Sequence, residues 1–112
     1  DDHPIITYGV PPIADQMDQA NWAARVGRDD APPRMPVLKV NNVFAMLRAV
    51  SAGLGIADLP DYMVTPSHKL KRILPNRTGP TFELYFIYPS DLRRSKRVAV
   101  FRDFITSEIE RM

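Results

Sequence analysis

Two histidines, a few serines and several closely spaced carboxylates are the residues of this chain that could act on a bond or hold a metal. "DDHP" sets Asp1, Asp2 and His3 side by side. They stand at a terminus, where a solvated end is the expected state. His68 has no second metal ligand at useful spacing. A hydrolytic nucleophile needs a serine or cysteine held against a base. The chain has no cysteine. Ser51 falls late in a helical pattern and Ser90 after a strand pattern, so neither stands in a G-x-S-x-G elbow. "GLG" at 53–55 follows a helical pattern instead of opening one, which excludes a dinucleotide loop. Asp29 with Asp30, and Asp58 with Asp61, are pairs that chance supplies readily. Asp58 stands inside an apolar strand pattern, which leaves two readings. It faces a cleft and takes a hydrogen bond, or it faces solvent or caps the strand end, and the second is favoured. An enzyme working through Asp58 or Asp61 is the weakest reading. The residue types point to no catalytic set, no metal and no cofactor.

Two other stretches invite a binding reading. "RRSKR" at 93–97 is basic, but it carries no interleaved aromatic on which a base would stack. It also opens a helical pattern, where the helix dipole disfavours cations. A solvated surface, or an ion pair with Asp103 or Glu108 of a neighbouring chain, is the expectation for it. "VNNVF" at 40–44 is the better ligand feature. A strand ends and a helix begins there, and the amides of Asn42, Val43 and Phe44 would face whatever lies before the sheet. An anion such as a carboxylate suits that place. "ITYG" ends in the same way and brings Thr7 and Tyr8 near, with hydroxyls to fix a small polar molecule. The competing reading is that the asparagines only cap the helix and Tyr8 packs.

The elements that must position these groups are short, because eleven prolines punctuate the chain. Ile5–Tyr8 is rich in β-branched residues and predicts a strand. "IADQMDQANWAARV" predicts one or two helical turns with Met17, Ala20 and Ala24 on one face, or else a long loop pinned by Trp22. Pro32 and Pro33 stop any helix there. Val37–Val40 predicts a second strand. Val43, Met46, Leu47 and Val50 recur at helical spacing, with Asn41 or Asn42 as N-cap and Gly53 as a left-handed stop. Gly55 then permits a close backbone approach before "IADL", a short buried strand running into Pro60. This is a strand–helix–strand unit of an α/β sheet.

Beyond it, "YMVTPSHKLKRILP" predicts a helical turn and a strand at Lys71–Leu74. "TFELYFIYP" reads as the strongest strand, with Phe82, Leu84, Phe86 and Tyr88 on one face. The final stretch predicts a helix with Ser95 as N-cap. Its apolar stripe is Val98, Phe101, Ile105 and Ile109, with Phe104 beside it, and it needs a partner surface. At 112 residues the chain suits one domain. Its net charge of +2 says little about partners. The lack of cysteine is compatible with the cytosol, and no apolar run approaches a membrane span.

"VNNVFAMLRAVSAGLGIADLPDYMV" closely resembles the effector-binding domain of LysR-type transcriptional regulators, whose pattern there ends "aGlGIa-lP-y-v". "HKLKRILP" is similar to that family's "L-vLp" segment, and "LYFIYPSDLRRSKRVAVFRDFITSEI" to its strand, tyrosine–proline–serine turn and C-terminal helix. The match runs from His3 to Ile109. It implies an α/β fold, a partial type 2 periplasmic-binding-protein-like domain made of most of subdomain two plus the C-terminal helix. Residues 1–88 would be mainly subdomain two, and 89–112 the turn and helix that return to subdomain one. The chain reads as a piece of something longer, without the family's helix-turn-helix and most of subdomain one.

The resemblance further implies a non-catalytic cytoplasmic sensor that holds a small, often anionic effector and works as a homo-oligomer. DNA would be met only through the helix-turn-helix domain. The cleft wall from this half would be Thr7, Tyr8 and Gly9, then Asn41, Asn42, Val43 and Phe44. Gly55 and Ile56 would shape its floor, and Leu59 and Pro60 would close the strand behind it. Asp58 departs from the family's more often apolar residue. A stand-alone small-anion-binding or adaptor module without a DNA partner is the alternative.

Overall fold

A computed structural model describes residues 2–9 and 21–112. The expected helical face at Met17 and Ala20 lies outside them. Two compact units are present, Asp1–Thr81 and Phe82–Met112.

In the first unit, β1 (Ile6–Tyr8) pairs in parallel with β2 (Leu38–Val40), Ile6 opposite Leu38 and Tyr8 opposite Val40. On the other side of β1, Ile5 forms a single parallel bridge with Ile56. β1 is therefore central and buried on both faces, as a parallel strand should be. Ile6 is 1% exposed on one face, while Ile5 and Thr7 are buried on the other. Ile6 packs with Met46 and Ala49 of α1 (Val43–Ser51), and Tyr8, Leu38, Val40, Val50, Ala57 and Leu59 close around them.

Both ends of α1 are written in the sequence. Asn42 is extended, and its side-chain oxygen accepts from the amides of Phe44 (2.8 Å) and Ala45 (3.3 Å). At the other end Gly53 takes φ +78°, a conformation cheap only for glycine. Its amide donates to Val50 O, and that of Leu54 donates to Ala49 O, which is the paired bonding of a Schellman stop. Gly55 serves a different purpose. A Cβ there would stand 2.5 Å from the carbonyl oxygen of Pro4. The absence of one lets Ile56 N donate to Pro4 O, and Ile6 N to Ile56 O, both at 2.9 Å.

Three expected strands do not form. "IADL" is reduced to the bridge at Ile56. The side chain of Asn21 takes the N–H and C=O of Tyr8 at 2.8 and 2.9 Å, and that N–H is the donor a further rung of the strand would have used. At Lys71–Leu74 the chain is irregular, and Leu74 lies in the left-handed region at φ +53°. Phe82–Tyr88 is irregular as well. Leu84, Tyr85 and Ile87 are each more than 70% exposed. Alternation and β-branching suit a strand but do not supply the ladder partner that stabilises one. Single helical turns do form at Asp61–Met63 and Pro66–His68. The second unit carries α2 (Lys96–Glu110), preceded by a turn at Ser90–Leu92. Ser95 holds the N-cap position but makes no capping bond.

Candidate functional site

The carboxyl ends of β1 and β2 form one edge of the sheet. Gly9 N donates to Val40 O at 2.7 Å, so the turn leaving β1 runs beside the turn entering α1. A Cβ on Gly9 would lie 2.6 Å from Cβ of Lys39, and glycine allows that approach. This edge brings together Tyr8 and Gly9 with Asn41, Asn42, Val43 and Phe44. Asn41, Asn42 and Phe44 are exposed, and Tyr8, Gly9 and Val43 are half-buried.

The amides at the α1 tip are less open than the sequence suggests. Phe44 N–H, one of the three expected to face a ligand, is held by Asn42 Oδ1. Asn42 therefore acts as a cap, as the competing reading had it. What the tip offers outward is the Asn41 side chain, the Asn42 side-chain NH2, and an exposed Phe44 ring.

Thr7 and Tyr8 are adjacent in a strand, so their side chains leave on opposite faces. Tyr8 packs on the α1 side, against the Ile6 cluster. Thr7 is buried on the far side. Their hydroxyls therefore do not converge on one small molecule.

The remaining expected residues fall into two groups. Leu59 packs with Tyr8 on the Ile6 cluster. Pro60 follows it and opens the turn at Asp61–Met63. Gly55 and Ile56 stand at the opposite end of β1, against Pro4 and Ile5. Three residues of strand separate them from Tyr8, about 10 Å. They fix the sheet and do not line this edge.

Asp58 lies between Ala57 and Leu59, which pack on the Ile6 cluster. Its Oδ2 accepts from Ala23 N at 2.9 Å. Of the two readings, the hydrogen bond is the one realised, and the carboxylate is largely buried. Burial pushes its pKa up from 3.8 to about 6, against a smaller lowering by the Ala23 amide. The turn it holds, Trp22–Ala24, also carries the indole against Gly79, where a Cβ would strike Trp22 Nε1.

Two positioning residues were missed. Asn21 fastens Tyr8, and Arg34 donates from its guanidinium to Val26 O (2.8 Å) and Ala23 O (3.3 Å). Both contacts join positions 8 to 13 residues apart without periodicity, so no local pattern announces them. Among the described residues no group of three or more His, Asp or Glu is placed to hold a metal ion. None of the helices there is long and apolar enough to cross a membrane.

Among protein families, the one described as LysR substrate binding domain matches residues 1–110. No curated protein and no solved structure matches the chain.

Proposed function

The chain belongs to the LysR substrate binding domain family, and from that premise we propose that it is the effector-binding part of a LysR-type transcriptional regulator. A non-catalytic, ligand-binding role is the property of the family. The finer reading is that a small, anionic effector sits at the carboxyl edge of β1 and β2. Ligands of open α/β sheets collect at this end of the strands.

The observation that carries the reading is the Gly9–Val40 bond, which sets the exit of β1 beside the exposed asparagines of the α1 tip. An asparagine NH2 donates two hydrogen bonds and suits a carboxylate oxygen. The helix dipole adds a favourable field for negative charge at the same place. Effector binding would favour one closure of the two-part sensor. That shift would pass to a DNA-bound homo-oligomer in the cytoplasm, as a change in population and not as covalent chemistry.

A thermal-shift screen with small mono- and dicarboxylates, and with alkylamines of matching size as controls, tests this. The reading expects stabilisation by at least one carboxylate, lost in Asn41→Ala/Asn42→Ala. Stabilisation by amines alone, or an undiminished response of the double variant, counts against it.

A further inference from the structure

Three consecutive residues at the Trp22–Ala24 turn hold three separate parts of the first unit. Asn21, its N-cap, takes the N–H and C=O of Tyr8 at 2.8 and 2.9 Å, at the carboxyl end of β1. Trp22 lays its indole against Gly79, where a Cβ would strike Nε1 and stand 2.8 Å from Cδ1. Ala23 donates its amide to Asp58 Oδ2 at 2.9 Å. The turn itself is braced. Arg34 donates from its backbone amide to Ala24 O at 2.9 Å and from its guanidinium to Ala23 O at 3.3 Å. A turn held in this way passes a displacement on instead of absorbing it.

Two of these contacts join places of different purpose. Tyr8 stands on the proposed ligand edge, and the next residue, Gly9, is tied to β2 through Val40 O at 2.7 Å. A movement of the β1 exit therefore pulls on Asn21. Gly79 lies just before Phe82, where the second unit begins. Its missing side chain is the room that the Trp22 ring occupies. Adjacent residues thus grip the ligand edge and the stretch of chain that leads out of the first unit.

We infer that this turn is the relay between the ligand edge and the segment entering the second unit. Asn21 is a positioning residue that follows the β1 exit, and Trp22 passes its displacement to Gly79. Asp58 and Arg34 hold the turn so that it moves as one body. The inference rests on the effector reading above and names the part that carries a signal out of that site.

The test reads the one tryptophan of the 112-residue chain through its indole N–H in 15N spectra, with far-UV circular dichroism to confirm that each variant is folded. Without ligand, Gly79→Ala pushes on the ring. The Tyr8 and Gly9 amides should shift together with the indole, while Met46 and Ala49 of α1 stay in place. In Asn21→Ala/Gly79→Ala the Tyr8 and Gly9 amides should match those of Asn21→Ala alone. Trp22→Phe, which shrinks the ring, should move the same two amides and serves where Gly79→Ala does not fold. With succinate as the probe, the indole resonance should shift along with the amides of Asn41–Phe44. Gly79→Ala should change the succinate affinity about fivefold or more, since coupling between two sites is reciprocal. In the Asn21→Ala background that change should shrink to within about twofold. Tyr8 and Gly9 amides that ignore both Gly79→Ala and Trp22→Phe overturn the relay, as does a Gly79→Ala effect that persists undiminished without Asn21. Succinate that moves no amide of the edge counts against the effector reading instead, and the ligand-free spectra then decide the relay alone.

Discussion

The two α-helices among the described residues share an amphipathic pattern and have opposite fates. α1 has nine residues, a side-chain cap at one end, a glycine stop at the other, and Met46 only 2% exposed against β1. α2 has 15 residues, no side-chain cap, and no buried residue. The longer helix is the less anchored one. An apolar stripe records that a helix has a face to bury, but the amount buried depends on the surface opposite it. α1 finds a sheet whose central strand is apolar on both sides. α2 offers Phe101, Phe104 and Ile109 outward.

The largest expected difference follows from that contrast. Met46→Ala empties a fully packed site and should cost about 2–5 kcal/mol in denaturant unfolding. Val100→Ala, at a position 69% exposed, should stay within about 0.5 kcal/mol. Equal losses would erase the distinction between the helices.

The next effect concerns the chain leaving α1. Gly55→Ala drives a Cβ into the Pro4 carbonyl and should cost about 1–3 kcal/mol. Gly53→Ala meets no atom within 4 Å and suffers only from its positive φ, so its loss should be about 1–2 kcal/mol. In hydrogen exchange, only the first should expose the Ile6 and Ile56 amides.

The caps give a smaller and cleaner contrast. Asn42→Ala removes the side-chain oxygen that accepts from the amides of Phe44 and Ala45 and should cost about 0.5–2 kcal/mol. Ser95→Ala removes no capping bond and should change stability by no more than about 0.5 kcal/mol.

What was legible in the sequence follows the same division. Asn42 and Gly53 act through neighbours a few residues away, and both were readable as cap and stop. Gly55 was readable because two glycines so close need two reasons, and the second is a close approach. The strand at Phe82–Tyr88 was misread because its pattern satisfies a strand's local preference, while ladder partners are chosen by the rest of the fold. "IADL" was misread because nothing in its own pattern shows that the Tyr8 N–H is taken by Asn21, a residue 35 positions upstream of Ile56. At the carboxyl edge of the sheet, Tyr8 and Gly9 lie beside the α1 tip, as consecutive strand ends in the sequence suggest. The free amide of Phe44 was not foreseeable as lost, since an asparagine before a helix serves equally as cap or as ligand donor.

The smallest effect is the pH dependence of the turn at Trp22–Ala24, which Asp58 holds. Asp58 ionises near pH 6 in the folded chain, against an ordinary value of 3.8. Between those values the folded state binds more protons than the unfolded one, so stability falls as pH rises. The contribution is largest below the lower value and gone above the higher one. Asp58→Asn should flatten that slope in denaturant midpoints taken across the interval. An unchanged slope would place the titration elsewhere.

The most direct measurement is a 15N-resolved NMR titration of the chain with the carboxylate that stabilises it most. If a small anion is held at the carboxyl edge of the sheet, the amides of Tyr8, Gly9 and Asn41–Phe44 shift together and saturably, while Gly55 and Ile56 at the far end of β1 stay in place. Shifts centred on Gly55 and Ile56, or spread evenly along the chain with none at the α1 tip, would contradict the account.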